Sequence, residues 1–336
     1  MKRTTIKDLA KYLSLSTSTI SRAFIPNSRI HPDTKEKIVQ AAAKLGYKPD
    51  PIALNLRYGV TKTIGLIVPE MVTPFTATVL QGIERVLRPL GYRILINVSD
   101  EDPEMERQHL LFLEGMKVDG ILINACHESH NLDLYKDIMD RGMPLVFFDR
   151  RPNPTLTVSQ VGVNDAIKAS LMVEHLIETG KKRIVYLMGP VSIRNTVERG
   201  IGYERILKKY NMYAPELLVK LESLTVDAGK EAVQKLYEQG ISFDAIFAFT
   251  DTLAIGAMNY LLQQGVNIPA EVAVGSFSGT VLSTMVHPQL TTVEQPLSDM
   301  GHVAANLLLE QIKDPKAPLR TEVMDAMVVR RASTMV

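Results

Sequence analysis

From residue 62 onward, apolar runs of strand length alternate with amphipathic helices, and no other feature so narrows what this chain can fold into. The runs are TIGLIVP, YRILINV, DGILINA and PLVFFD, then RIVYLMG, AIFAFTD and VAVGSF. They are continuous rather than alternating, which implies parallel strands covered on both faces. The stretches 76–90, 104–116, 164–179, 196–210 and 250–264 have helical length and period. About four strands pass before the series starts again at 183. This predicts an α/β body of two doubly wound parallel-sheet lobes, the first about 62–161 plus 295–325, the second about 162–292 plus 326–336. LTTVEQP (290–296) reads as a crossover back to the first lobe, and helix 297–312 with the stretches 319–323 and 326–331 closes the fold. Paired lobes of this kind take small ligands in the crevice beyond the strand ends.

The first 60 residues follow a different pattern. TIKDLAKYLSLSTSTISRAF (5–24) places apolar residues at Ile6, Leu9, Ala10 and Leu13, then at Leu15, Ile20, Ala23 and Phe24. That is two short amphipathic helices broken at Ser14. Thr17, Ser18, Thr19 and Ser21 crowd the start of the second helix and Arg22 follows. Short hydrogen-bonding side chains flanked by a cation suit the floor of a DNA major groove; the alternative is a helical hairpin with a solvated Ser/Thr face. A third helix is signalled at about 32–45, with Pro32 at its first position, Asp33 and Glu36 in its first turn, an apolar face of Ile38, Val39, Ala42 and Leu45, and Gly46 at its end. These three make a small all-α helix-turn-helix head over 1–46. Residues 47–61 read as linker, in which Asp50–Pro51 opens a helix of at most two turns, too short to stand alone. Ala53 and Leu56 share one face of it, either as an apolar wedge for a minor groove or as a domain-packing contact.

The formal net charge of +1 conceals an asymmetry. Residues 1–60 hold eleven Lys/Arg and four Asp/Glu, a balance of +7, so the other 276 residues carry −6. A basic head on an acidic body fits a polyanion-binding module joined to something else. Lys2, Arg3, Arg29, Lys35 and Lys37 are candidates for phosphate contacts, which position a protein on DNA without reading sequence. The single cysteine, Cys126, leaves no internal disulfide, and no Cys/His spacing suggests a metal. MKRTTIKD lacks the apolar core of a secretory signal and no apolar run reaches membrane-spanning length, so a cytoplasmic protein with no membrane partner is expected. Neither a P-loop nor GxGxxG follows the first apolar run, and the seven histidines are scattered, so neither a cofactor nor an enzyme is expected.

TIKDLA, ISRAF, KLGYKPDPIALNLR and TKTIGLIVP, in this order and spacing, resemble the lactose repressor (LacI-type) family of bacterial transcription regulators, and the likeness runs on through the chain. It implies a periplasmic-binding-protein-like effector and dimerisation domain over 62–336. It implies that Thr17, Ser18 and Arg22 read bases, with Thr5, Ser16, Ser21 and Arg29 completing the DNA contacts. It also implies that Leu56, with Ala53, occupies the hinge-helix position that intercalates at the operator centre. Ser14 stands where the family's turn commonly has Gly.

In the body, strand ends nominate VPEMVTPF (68–75), Asp149–Arg150, the segment after Gly189–Pro190, Thr250–Asp251 and Phe277–Ser278 as crevice groups. Singly, each also reads as a cap or packing group, Asp251 as a helix start and Arg199 as a solvated helix residue. The resemblance assigns effector contacts to Thr73, Phe75, Thr76, Val79, Asp149, Asn195, Arg199 and Gln295. Leu224 replaces a common aromatic, Thr250 a common Asn, and Ser278 a common Asp. That last loss makes a negatively charged or phosphorylated ligand easier to accommodate. The expected function is a ligand-responsive repressor that binds a double-stranded palindromic operator as a homodimer, with a carbohydrate or derivative as effector; the alternative is a solute-binding protein sharing the body. No terminal leucine heptad follows Val329, which favours a dimer over a tetramer.

Overall fold

A computed structural model describes residues 4–24, 29–47 and 60–335. The chain divides into two units, Met1–Lys62 and Thr63–Val336. The linker helix expected around Asp50, with Ala53 and Leu56, lies outside the described residues.

The first unit holds α1 (Ile6–Leu13), α2 (Thr17–Ala23) and α3 (Pro32–Lys44). Thr5 opens α1 with a capping box: its hydroxyl accepts the Asp8 N–H at 3.3 Å and the Asp8 carboxylate accepts the Thr5 N–H at 2.9 Å. Ser14 ends α1 in the left-handed region, φ 54° and ψ 36°, where its N–H donates to the Ala10 and Lys11 carbonyls. The turn thus keeps the glycine conformation with a residue that adopts it at some cost. Ser16 then caps α2 by accepting the Thr19 N–H at 3.1 Å. Leu9, Ile20, Ala23 and Ile38 are all 0% exposed and lock the three helices over one core with Ala10, Ala41 and Ala42.

The second unit contains two six-stranded sheets. Lobe one has β1 (Thr63–Val68), β2 (Arg93–Val98), β3 (Gly120–Ile123), β4 (Leu145–Phe148), β5 (Ser159–Val163) and β11 (Thr321–Met324), ordered β11-β5-β4-β3-β1-β2. Lobe two has β6 (Ile184–Met188), β7 (Leu218–Lys220), β8 (Ala245–Ala248), β9 (Ala273–Ser278), β10 (Thr291–Glu294) and β12 (Met327–Val329), ordered β12-β10-β9-β8-β6-β7. Every pair is parallel except β10 with β12. Helices α4 (Pro74–Leu87), α5 (Pro103–Gly115), α6 (Leu132–Asp140) and α12 (Leu297–Lys313) cover lobe one. Helices α7 (Asp165–Glu178), α8 (Arg194–Lys209), α9 (Val226–Glu238), α10 (Asp251–Gln263) and the single turn α11 (Leu282–Met285) cover lobe two. The chain crosses between lobes three times: after β5, after β10, and at Asp325–Ala326 between β11 and β12.

In β1, Ile64, Leu66 and Val68 pack to one side of the sheet while Ile67 packs with Leu110, Leu113 and Tyr135 on the other. Burial of both faces is why the run is continuously apolar. The run YRILINV breaks the rule: it forms the edge strand β2, and Arg93 and Ile96 are exposed. LTTVEQP contributes β10 itself, and the crossing follows at Gln295–Pro296. β5 and β7 escaped the sequence pattern because SQVGV is half polar and LVK is only three residues long.

Helices α4 and α12 approach so closely that a Cβ on Gly82 would fall 1.9 Å from the Ser298 carbonyl oxygen, and one on Gly301 would fall 2.1 Å from that of Val79. Backbone cannot move aside as a flexible side chain can. Gly82→Ala is therefore expected to cost lobe one about 3 kcal/mol by overpacking. Chemical denaturation followed by circular dichroism should show the loss, whereas Gly115→Ala, with open space around it, should not.

Candidate functional site

Two sites were expected, one in each unit. In the head, Ile20 and Ala23 turn one face of α2 into the core, which leaves Thr17, Ser18 and Arg22 exposed on the other and Ser21 half-buried beside them. Thr5 and Arg29 are exposed as well. Thr5 and Ser16 are committed to capping; the Ser16 hydroxyl also lies 2.8 Å from those of Ser18 and Thr19. The exposed side of α2 is thus a platform of short hydroxyls with one guanidinium, held by a rigid core behind it. Such a face donates and accepts hydrogen bonds without steric bulk, as a helix entering a major groove requires.

In the body, the carboxyl ends of both sheets open onto one cleft of about 710 Å³. The parallel strand direction puts every β-to-α loop of a lobe at the same end. Thr73, Phe75, Asp149, Asn195, Arg199, Leu224, Thr250, Ser278 and Gln295 all line it. Thr76 and Val79 do not. The Thr76 hydroxyl donates to the Glu70 carboxylate at 3.1 Å, and Val79, 1% exposed, points into the core where α4 meets α12. Val79 lies one turn beyond Phe75 on the same face of α4, so Phe75, in the first turn, stays half-buried at the cleft while Val79 is carried deeper into the core.

Arg199 is not a solvated helix residue: it is 3% exposed. Its Nε donates to the Asp165 carboxylate at 2.7 Å and its Nη1 to the Phe249 carbonyl at 2.7 Å. The guanidinium carbon lies 3.6 Å from the ring centre of Phe277 and 4.4 Å from that of Phe249. Asp165 also receives Asn195 Nδ2 at 3.2 Å and Arg151 Nη2 at 3.5 Å. Burial pushes the Asp165 carboxyl up to about 6, against the pull of Arg199. Asp149 sits in the left-handed region at φ 55° and is 8% exposed. Burial raises its carboxyl too, opposed by Arg199, Arg150 and Arg151. Arg150 is clamped by two bonds to Glu101, at 2.6 and 3.0 Å. Asp251 is the first residue of α10, capped by Thr250, but its carboxylate is 1% exposed and accepts from Ser276, Thr292 and twice from Thr280.

Several of these bonds join the lobes. Asn195 Nδ2 donates to the Asp149 carbonyl at 3.2 Å, Arg151 Nη2 to Glu198 at 2.8 Å, Arg194 Nη1 to the Pro152 carbonyl at 3.3 Å, and the Glu128 N–H to the Ser192 carbonyl at 2.9 Å. Sequence reasoning missed Asp165, Arg151, Glu198 and Glu101. Asp165 looks like any acidic helix start; the one available signal was the DRRP run beside the nominated Asp149.

Residues 5–50 match the family described as bacterial regulatory proteins, lacI family, and residues 173–334 match a periplasmic binding protein-like domain. The chain is 30% identical over 331 residues to the ribose operon repressor of Halalkalibacterium halodurans, covering 98% of this chain and 97% of that one. It is 32% identical over 308 residues to catabolite control protein A of Priestia megaterium, covering 90% and 91%. The crystal structure of the lac repressor dimer bound to operator and the anti-inducer ONPF shares the fold at a TM-score of 0.88 and 23% identity, over 100% of both chains.

Arg199→Ala leaves the Asp165 carboxylate buried without its main cation, and breaking such a pair is expected to cost the body about 3 kcal/mol. The loss depends on pH. The folded Asp165 carboxyl already lies above its ordinary value, so its contribution is greatest at low pH and falls as pH rises through about 6. Removing Arg199 raises that carboxyl further. Denaturation of both proteins should therefore show a small deficit in the variant at pH 5 and a larger one at pH 8.

Proposed function

We propose that this chain, which belongs to the lacI family of bacterial regulatory proteins, is a homodimeric repressor whose grip on a palindromic operator is set by a small molecule in the interlobe cleft. The observation that carries the reading is the pairing of an exposed α2 face, Thr17, Ser18 and Arg22, with a ligand-sized cleft in the same chain. Two-fold symmetry of the dimer would impose matching symmetry on the operator. Thr5, Ser16, Ser21 and Arg29 would contact DNA around the reading face, and Leu56 with Ala53 would wedge the operator centre. An effector that prefers one interlobe arrangement shifts the equilibrium towards it, and DNA affinity follows.

The body offers a surface for the second copy. On α5, Leu110 and Leu113 pack inward, while Met105, Phe112 and Met116 recur on the opposite face; Phe112 is 53% exposed. Ile96 on edge strand β2 is exposed too. Ile96 shares the sheet face of Leu66, opposite to α5, so the strand edge and the helix face flank the same border of the sheet, and both are costly to leave in water. Burial of this strand edge in a dimer explains why YRILINV reads as a strand covered on both sides.

The effector is a carbohydrate or a derivative of one, held by Asp149, Asn195, Arg199 and Gln295 with Phe75 and Leu224 as apolar walls, and with Thr73, Thr250 and Ser278 at the loop ends. Among the described residues no helix is long and apolar enough to cross a membrane, and the relatives are transcription regulators rather than enzymes. We place its action on DNA in the cytoplasm, with no catalytic step. A solute-binding role would leave the basic head without a purpose.

Operator selection from random duplexes should return a near-palindrome. Log affinity should fall against log salt with a slope steeper than about −5, as the release of counterions from six or more phosphates requires; a flat salt response would refute DNA recognition. Phe112→Asp should convert the dimer to a folded monomer in analytical ultracentrifugation. Specific operator affinity should then drop about 100-fold, because one half-site is no longer tethered to the other.

A further inference from the structure

The groups facing the cleft are charged unevenly. Six carboxylates line it, Glu70, Asp100, Glu101, Asp149, Glu222 and Asp251, against two guanidinium groups, Arg150 and Arg199. Both cations are already engaged. Glu101 holds Arg150 through two hydrogen bonds, and the charge of Arg199 is matched by Asp165, while its Nη2 is left to meet an uncharged hydroxyl. Most of the carboxylates are not matched in return. Glu70 accepts from the Thr73 N–H and from the hydroxyls of Thr73 and Thr76, and Asp251 from three hydroxyls and one N–H. Neither makes an ion pair among the described residues. Asp100 and Glu222 stand exposed at the rim.

The uncharged groups point the same way. Gln295, 6% exposed, has both its amide oxygen and its amide nitrogen without a hydrogen-bond partner. Asn195 spends its Nδ2 on the Asp149 carbonyl and the Asp165 carboxylate, which fixes the orientation of its amide and leaves Oδ1 without a partner. Together with the Asp149 carboxylate, these residues present three acceptors and one donor. A ligand that satisfies them must donate hydrogen bonds. A hydroxyl does; an ionised phosphate or carboxylate does not.

Resting on the carbohydrate reading above, we propose that the effector is an uncharged polyol rich in hydrogen-bond donors, and that the acidic mouth and the Glu101 clamp on Arg150 turn away its phosphorylated and carboxylated forms. The missing carboxylate at Ser278 thus does not open the cleft to anions, because Glu70, Asp100, Glu222 and Asp251 remain without a cation among the described residues and the charge of each arginine is already matched by a carboxylate.

The test uses the full-length protein, isothermal titration and thermal unfolding. The probes are D-ribose against ribose 5-phosphate, D-glucose against glucose 6-phosphate and D-gluconate, and inorganic phosphate against chloride at equal ionic strength. A neutral sugar is expected to bind at least about tenfold more tightly than its charged counterpart, and phosphate to give no stabilisation beyond chloride. Glu101→Gln frees Arg150, so phosphate should now raise the unfolding temperature, and adding Arg150→Gln should cancel that gain. A phosphorylated sugar that binds as well as its parent overturns the proposal. So does phosphate stabilisation of the wild-type protein that Arg150→Gln removes, or a Glu101→Gln variant that folds and still ignores phosphate. If neither neutral nor charged sugars bind while the operator is still recognised, the carbohydrate reading itself falls, and the phosphate measurements still decide whether the cleft excludes anions.

Discussion

The buried carboxylate of Asp165 holds the floor of the cleft together. It stands just past the first crossover, at the start of α7, and receives Arg199 and Asn195 from lobe two and Arg151 from lobe one. A carboxylate with no water must be matched by donors, and here the donors come from both sides of the interlobe junction. Asn195 then carries the link to the Asp149 backbone, and Arg151 to Glu198. The groups that would meet a ligand are therefore the same groups that set the lobes against each other. A ligand that hydrogen-bonds to Asn195 or Asp149 acts directly on that junction.

The two sheets reach the junction by the same topology. In each lobe the first strand lies between the second and third, and the strand ends converge on the cleft. The three crossovers join neighbouring strands, β5 and β11 in one lobe and β10 and β12 in the other, so the covalent ties between the lobes lie together at one end of each sheet. Close helix packing makes each lobe stiff: α4 and α12 meet through glycine with backbone against backbone.

Much of this is legible in the sequence. Seven of the twelve strands described announced themselves as continuous apolar runs; in six of them burial on both faces removes the need for polar residues, and β2, at the sheet edge, is the exception. The head was legible from Leu9, Ile20 and Ile38, whose spacing put them in one core, and from the short polar residues left outside it. Strands β5 and β7 were not legible, one being half polar and the other three residues long. Thr76 and Val79 were drawn into the site along with Phe75, their neighbour on α4, but only the packing of α4 on α12 decides how far along that helix the cleft reaches before the core begins.

The sequence by itself determined the architecture: a basic helical head, then two α/β lobes with strand ends bearing polar groups. Periodicity and charge are local properties, and each short segment declares its own. Only the tertiary structure decided what the charges do. Arg199 and Asp165 are 34 residues apart, and Arg150 and Glu101 are 49 apart. No local pattern says that either pair meets, or that the pairing leaves the cleft acidic. Whether an arginine is a ligand-binding cation or a neutralised strut depends on which carboxylate folding brings beside it, and that is settled by long-range contact alone.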